Sequence, residues 1–131
     1  MKTINEVITQ YNQRISSLVG TVTKVFTEFP GERMQYPLKD IQISTGVHNL
    51  KVYLVEDKNE VLQPVKELTV QATICAPKTT KGERMLSILE CVINAALADD
   101  MPQITEIHTS NAEYDSSIGG ITQSVFITTI V

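Results

Sequence analysis

The sequence predicts an α+β fold, in which a mainly antiparallel β-sheet has two α-helices packed on one face. Three observations support this prediction. Two segments repeat apolar residues at three- and four-residue steps, as amphipathic helices do, and several others alternate apolar with polar residues. Most connections between the alternating segments are too short for parallel crossovers. Aromatic residues make up only 5% of the chain, so Ile, Val and Leu must form most of the core.

Length and charge limit the class of protein. The 131 residues favour a single domain that spans residues 1–131. A net charge of −4 argues against a nucleic-acid-binding module, which usually has a basic face. No apolar run approaches the roughly 20 residues that cross a bilayer, and no apolar signal core follows Met1. We therefore expect a protein that is made and kept in the cytoplasm.

The first helix is predicted from a capping box and an apolar stripe. Thr3 and Glu6 have the capping-box spacing, and Gly20 is suited to end the helix. Polar residues such as Asn12 occupy the opposite side, so this helix should pack on one side only. The apolar stripe contains Ile4, Val7, Ile8, Tyr11, Ile15, Leu18 and Val19.

Three strands should follow the first helix. Residues 22–29 are rich in Val, Thr and Phe and predict the first strand. A proline-bounded segment without periodicity, residues 30–37, predicts a loop. Residues 38–43 and 50–54 predict the second and third strands, and the break at residues 44–49 fits either a bulge or a hairpin turn.

The second half of the chain contains a long strand and a second helix. Charged residues 56–60 predict a turn, and an alternating strand follows that stops at Pro77. Thr80 and Glu83 have the spacing of a second capping box. The apolar stripe of the predicted helix contains Met85, Leu86, Leu89, Val92, Ile93, Ala96 and Leu97.

Two strands are predicted to complete the domain. A short one begins near Ile104, and a longer one covers residues 121–131. The polar segment between them carries Glu113, Tyr114 and Asp115 and predicts a loop.

Residues suited to chemistry are scattered along the chain. Cys75 and Cys91 lack the spacing of a metal or redox motif, so we expect free thiols in a reducing compartment. His48 and His108 are far apart in sequence, and the serines have no evident activating base. The sequence therefore predicts a protein that is not an enzyme and that holds no metal or cofactor.

The order of elements in residues 66–131 is distinctive. A strand closes on Pro77, a helix covers residues 83–98, and an isoleucine-led strand, a loop with Tyr114 and Asp115, and a C-terminal strand follow. This succession resembles the tail terminator proteins of tailed bacteriophages, including the lambda-type terminators, which are similar in length. The earlier part of the chain is similar to that family in its element order, a leading helix followed by strands.

The resemblance implies a structural protein of a phage or phage-like tail, with no catalytic residues and no cofactor. Its protomers would form a hexameric ring that caps the head-proximal end of the tail tube, ends tube growth and presents the joining surface for the head connector or collar. The implied partners are further copies, the tail tube protein, and the sheath and head connector proteins, without sequence-specific nucleic acid or membrane. The protein would lie in the host cytoplasm during assembly and then in a virion or a tail-like bacteriocin.

Two segments are candidate contact sites for such a particle. Phe29 precedes the proline-bounded loop, which carries Arg33, Met34 and Tyr36, and the apolar side chains among these four residues predict contact with a neighbouring subunit or the tube. In the alternative, these side chains fold back over the core. The polar loop at residues 110–120, with Glu113, Tyr114 and Asp115, is a candidate docking loop that we expect to become ordered only on docking.

Two other functions stay open at this point. The protein could be a neck or head–tail completion protein, or a tube protein, of the same particle. It could also be a small cytosolic enzyme or ligand-binding module, which would need a concave pocket with convergent polar groups.

Overall fold

The chain forms two helices and six strands within residues 3–19, 24–27 and 40–131, which a computed structural model describes. In chain order the elements are α1 (Ile4–Val19), β1 (Lys24–Thr27), β2 (Gln42–Glu56), β3 (Leu62–Pro77), α2 (Gly82–Ala96), β4 (Ile104–Thr109), β5 (Glu113–Asp115) and β6 (Gly120–Ile130).

The strands form one mixed but mainly antiparallel sheet. Its order is β1-β2-β3-β6-β4, and β5 pairs with the start of β6. Every pair is antiparallel except β1 with β2. The connection between these strands, residues 28–41, is long enough for the crossover that a parallel pair needs. The predicted α+β class is confirmed.

Helix α1 begins at the predicted capping box. The Glu6 backbone N–H donates to the Thr3 hydroxyl at 3.1 Å, and the Thr3 N–H donates to a Glu6 carboxylate oxygen at 3.3 Å. Most of the predicted stripe is buried, but Leu18 is exposed. Asn12, expected on the solvent side, accepts a hydrogen bond from the Thr45 hydroxyl of β2. The contact between α1 and the sheet is therefore wider than the apolar stripe alone.

Helix α2 begins without the second capping box. Its N-cap is Lys81, which makes no side-chain capping hydrogen bond, and the N–H groups of Arg84 and Met85 donate to the Lys81 carbonyl oxygen. The predicted role of Thr80 is wrong, because its own N–H bonds the Pro77 carbonyl oxygen in the turn after β3. This turn places Thr80 one residue before the cap. Leu86 and Leu97, predicted for the buried stripe, are exposed.

Both helices pack on the same face of the sheet and enclose the core. Helix α1 lies against β1 and β2, and α2 lies against β3 and β6. Alternate residues of β3 and β6 point into this core because successive side chains of a strand face opposite ways. The buried apolar residues of these two strands are Leu68, Val70, Ala72, Ile74, Ala76, Val125 and Ile127.

The predicted break at residues 44–49 is a bulge and not a turn. β2 runs without interruption, and its register with β3 shifts between Val47 and Asn49, which leaves His48 as the extra residue. The second and third predicted strands are therefore one strand. A bulge absorbs one unpaired residue without reversing the chain.

Candidate interaction surfaces

A two-stranded arm, which we define as residues 52–66, extends beyond the rest of the described sheet. It consists of the end of β2, a turn and the start of β3. β3 pairs with β6 from Glu67 onward, and the Val131 N–H donates to the Lys66 carbonyl oxygen at 3.0 Å, so within the described residues the arm strands pair only with each other beyond Lys66. Isolated two-stranded hairpins are marginally stable in water. A further partner that covers the arm would therefore stabilise it.

The tip of the arm is closed by Asp57, as the charged residues predict. Its carboxylate Oδ1 accepts hydrogen bonds from the N–H groups of Asn59 at 2.8 Å and Val61 at 3.0 Å. These bonds hold the pKa of Asp57 below its ordinary value. Glu60 has a positive φ of 61°, a conformation that residues with a Cβ rarely adopt. The turn is therefore specified by one side chain and one unusual backbone angle.

Both sides of the arm carry apolar residues, with Tyr53, Val55 and Val65 on one; we call the other side, which holds the exposed Leu54 and Leu62, the apolar arm face. Cross-strand partners share a side of the ladder, so this face is set by the pairs Val52 with Lys66 and Leu54 with Pro64. The next pair joins Leu62 to Glu56 at the tip. The apolar members of this face are Leu50 at its base, Val52, Leu54, Leu62 and Pro64.

The apolar arm face continues the core face of the sheet past the ends of the helices. Leu50 pairs with Leu68, which is fully buried beneath the helices. Farther along the same side, Leu54 is 61% exposed and Leu62 is 59% exposed. Contiguous exposed apolar side chains on a small domain usually mark a binding surface. This face is the strongest candidate for contact with another molecule.

The sheet face away from the helices is polar, and several of its side chains form hydrogen bonds with one another. The Gln71 side-chain amide donates to the hydroxyls of Thr73 at 3.2 Å and Ser124 at 3.1 Å. The hydroxyls of Thr69 and Thr128 lie 3.1 Å apart. These residues alternate with the core residues of β3 and β6, so the two sides of the sheet differ sharply in chemistry.

The two histidines meet at one aromatic ring on this polar face. The His48 ring lies edge-on to Phe126, and the His108 ring stacks on it, each with centroids 4.7 Å apart. Glu106 Oε1 is 3.8 Å from His108 Nδ1, an ion pair only when the imidazole is protonated. The sequence separates these histidines widely, but the bulge in β2 and the pairing of β4 with β6 bring them together. Across residues 3–19, 24–27 and 40–131, no three His, Cys, Asp or Glu residues are grouped so as to hold a metal.

The predicted docking loop contains regular structure. Glu113, Tyr114 and Asp115 form β5 and pair with β6, so the expectation of a loop is wrong at these residues. The Asp115 carboxylate accepts hydrogen bonds from the N–H and hydroxyl of Ser117, which hold its pKa below the ordinary value. Gly119 supplies the positive φ that the following turn needs. Tyr114 is exposed, and its docking role stays a prediction.

The other predicted contact residues lie outside the described residues. Phe29, Arg33, Met34 and Tyr36 all fall between β1 and β2, in the segment that the structure does not describe. Their contact with a subunit or the tube stays a prediction.

Both cysteines are free thiols. Cys75 is buried in β3, where burial and the nearby Asp115 carboxylate raise the pKa of its thiol. Cys91 is half-buried on α2, and its Sγ lies 3.6 Å from the Leu18 carbonyl oxygen of α1. The two therefore sit in packing positions of the fold.

A groove of about 680 Å³ lies along the polar side of α1. Arg14 forms an ion pair with Asp100, and Gln10 donates a hydrogen bond to the Asp100 carbonyl oxygen at 2.9 Å. These contacts join α1 to the segment after α2. The groove is also lined by Asn5, Glu6, Thr9, Gln13 and Ser17.

Neither helix in the described part of the chain is long and apolar enough to span a membrane. No protein-family model matches this chain, and a search of curated proteins finds no significant match. The resemblance to tail terminators therefore stays a prediction from the order of elements in residues 66–131.

The arm was not predicted from the sequence. The signal was present, because apolar residues alternate through residues 50–54 and resume at Leu62 on the other side of a charged turn. Alternation of this kind predicts a strand with one buried side. It does not reveal that the helices end before the strands do.

Proposed function

We propose that this protein is a structural subunit of a phage tail or phage-like tail, a tail terminator that forms a ring on the head-proximal end of the tail tube. The ring ends tube growth and offers the joining surface for the head connector or collar. The observation that carries the proposal is the arm, whose apolar face is exposed in the single chain. The resemblance of residues 66–131 to the terminator family supports the same conclusion.

The energetics of the arm favour a role in assembly. Full burial of one leucine contributes roughly 1.5–3 kcal/mol, and Leu54 and Leu62 obtain less than half of their possible burial within the chain. A partner that covers this face recovers that free energy for association. A two-stranded hairpin also becomes more stable when a further element packs on it.

A closed ring requires two different surfaces on each subunit, which meet after a fixed rotation. The arm extends from β2 and β3, and the described edges of the sheet are β1 and β4. Tyr114 and the segment with Phe29, Met34 and Tyr36 are our candidates for contact with the tube. The proposed partners are further copies, the tube protein, the sheath protein and the head connector, in the host cytoplasm and then in the particle.

Deletion of the gene in its particle-producing host tests the proposed function. Without a terminator, we expect tubes or sheaths of irregular length in electron micrographs, because nothing ends tube growth. Expression of the wild-type protein should restore a narrow length distribution. Particles with tails of normal length but unjoined heads would contradict the proposal and favour a neck protein.

A second experiment uses purified components. Gold-labelled protein should bind one end of isolated tail tubes, and it should block their elongation by added tube protein. The Met34→Ser and Tyr36→Ser double variant is expected to bind less if that segment meets the tube or a neighbour. Labelling along the whole tube, with continued growth, would instead indicate a tube or sheath component.

A further inference from the structure

The bulge in β2 displaces the pairing of the arm by one residue. Val47 lies opposite Val70 before the bulge. Asn49 lies opposite Thr69 after it, which leaves His48 as the extra residue. Without an extra residue, the first pairing would continue to the tip, and every later residue of β2 would lie opposite the β3 residue that precedes its present partner. We call this second pairing the slipped register.

Pairing with other strands does not hold the arm half of β2 in place. β1 pairs with β2 at residues 42–45, and beyond Lys66 the arm strands pair only with each other within the described residues. The pairing of β3 with β6 runs from Glu67 to Pro77 without a shift, so β3 is the fixed strand. A slip of β2 along β3 in the arm therefore breaks no pairing with a third strand.

Burial gives little preference for one register, because both sides of the arm carry apolar residues. A shift of one residue turns every later side chain of β2 to the other side of the ladder. Val52 and Leu54 would leave the apolar arm face, and Tyr53 and Val55 would take their places. Val52, Leu54 and Val55 are all exposed in the observed register. Register is specified weakly where neither side of a strand is buried.

The observed register has two local costs. His48 is unpaired in the ladder with β3, as the extra residue of a bulge is. Glu60 has a φ of 61°, which is unfavourable for a residue with a Cβ. The slipped register has no bulge, and it rebuilds the turn, because the loop shortens from residues 57–61 to residues 57–60. Both loop lengths are common in hairpins.

Two interactions favour the observed register. Lys51 lies opposite Glu67, whereas the slipped register places Lys51 opposite Lys66. Like charges directly opposite each other destabilise a sheet, and opposite charges stabilise it. The hydrogen bond from the Val61 N–H to the Asp57 carboxylate also belongs to the longer loop. The slipped register is therefore the minor one.

We propose that the arm exchanges between the observed register and the slipped register. His48 is the extra residue in the first and lies opposite Thr69 in the second. The exchange turns the β2 half of the arm over, so that one sequence presents two different sets of side chains on the same side. The inference goes beyond the proposed function and does not depend on it. Any partner that prefers one register would shift the populations toward it.

Disulfide trapping tests whether the slipped register is populated. Val52→Cys combined with Val65→Cys places thiols at positions that are opposite each other in the slipped register but on different sides of the observed arm. Cysteines whose Cβ atoms point apart cannot form a disulfide without backbone movement. In a glutathione buffer this trapping pair should oxidise, with the bond located by mass spectrometry. Val52→Cys combined with Lys66→Cys is the control that should oxidise from the observed register.

Deletion of His48 controls for simple fraying of the arm. It makes the observed pairing regular, because Asn49 then follows Val47 directly and both keep their partners in β3. The slipped register would need a new bulge in this variant. The trapping pair should therefore stay reduced when His48 is deleted, although the arm is no better covered than before.

Charge substitution tests the energy difference between the registers. Lys51→Glu would repel Glu67 in the observed register and attract Lys66 in the slipped one. It should shift the ratio of the two registers about tenfold toward the slipped one, and the trapping pair should oxidise faster by that factor. Lys58→Glu makes the same change in net charge in the turn, outside the ladder, and should leave the ratio unchanged.

NMR relaxation dispersion measures the exchange without a cross-link. Amides of the arm should exchange on the microsecond-to-millisecond timescale, whereas amides at residues 126–129 of β6 should not. Glu60→Gly removes the cost of the positive φ and should lower the slipped population roughly fivefold. The exchange should not depend on protein concentration, which distinguishes it from association.

Four outcomes would overturn the inference. The first two are a trapping pair that stays reduced while the control pair oxidises, and a trapping pair that oxidises equally fast when His48 is deleted. The others are a Lys51→Glu variant that oxidises no faster than Lys58→Glu, and arm exchange that is absent or grows with protein concentration. Unchanged β6 amide signals confirm that each variant keeps its folded body. None of these outcomes bears on the proposed function, which the deletion strain tests separately.

Discussion

The body of the sheet and the arm are built from the same two strands but differ in what covers them. In the body, Leu68 and Val70 of β3 are fully buried beneath the helices. A few residues earlier on the same side of the ladder, Leu62 is exposed, as is Leu54 of β2. Along this side of β3, apolar residues occur in both regions, with Leu62 and Pro64 in the arm and Leu68 and Val70 in the body. Alternation therefore defines which side of a strand is apolar, and the reach of the helices decides whether that side is buried.

The largest expected difference between the two regions is in stability. Leu68→Ala should lower the free energy of unfolding by about 2–5 kcal/mol, because it removes a fully buried side chain and leaves a cavity. Leu54→Ala should change it by less than ~0.5 kcal/mol, as exposed substitutions usually do. Urea denaturation at protein concentrations too low for association measures both. Equal losses would show that the arm is packed within the single chain.

Titration of the buried Tyr11 side chain of α1 should have the next largest effect on stability. Burial raises the pKa of Tyr11 from 10 to about 12, and the Thr129 hydroxyl partly offsets this rise. The folded state therefore holds the phenol proton more tightly than the unfolded state. Its contribution to stability is complete below pH 10 and is lost as the pH rises from 10 to about 12. The loss amounts to about 2 kcal/mol.

Tyr11→Phe should remove this part of the pH dependence. The difference in unfolding free energy between wild type and variant, measured at several pH values from 9 to about 12, should shrink by that amount. Tyr114→Phe, at an exposed tyrosine of β5, is the matched control and should leave the wild-type profile in place. A constant difference across this range for Tyr11→Phe would contradict the assignment.

The two Thr-x-x-Glu sequences allow a comparison within the body. Thr3→Ala should cost about 1 kcal/mol, because the hydroxyl caps α1. Thr80→Ala should cost much less, since α2 has Lys81 at its N-cap and no side-chain capping bond. Chemical denaturation of the two variants in parallel measures the contrast. Equal costs would mean that Thr80 also caps its helix in solution.

The smallest effect is expected at the tip of the arm. Asp57→Ala removes the acceptor of the Asn59 and Val61 N–H groups, so these two amides should exchange with solvent faster while amides of β6 do not. Asp57→Asn keeps an oxygen acceptor and should retain most of the protection. Because the pKa of Asp57 is lowered, protection in the wild type should persist above its ordinary value of 3.8 and fall only as the pH drops below it. Unchanged exchange in Asp57→Ala would show that the backbone alone holds the turn.

Local signals predicted most of the fold. The capping box at Thr3 and Glu6 and the alternation of β3 and β6 depend on residues close in sequence, and the structure confirms them. Thr80 has the same spacing to Glu83 as Thr3 has to Glu6, but its N–H bonds the Pro77 carbonyl oxygen in a turn. The spacing alone does not reveal this turn. The contact of His48 and His108 with Phe126 depends on the register of three strands.

The candidate surfaces were harder to predict for a related reason. The arm exists because β2 and β3 extend past β6 and past the helices. This extension depends on how the lengths of the strands and helices compare in the folded structure. Leu86 and Leu97 have helical spacing typical of a core, but the sheet beneath α2 meets only part of the stripe. Phe29, Arg33, Met34 and Tyr36 lie outside the described residues, so their contact with a partner is still to be tested.

The extra residue His48 has a geometric consequence for assembly. A bulge bends its strand and increases the local twist, so His48 sets the direction of the part of β2 that follows it. If the arm joins successive copies, its direction sets the angle through which one subunit is turned relative to the next. The number of copies in a circle is the full turn divided by that angle, and an angle that does not close generates a spiral filament. Deleting one histidine would then alter the stoichiometry of the particle without touching any interface side chain.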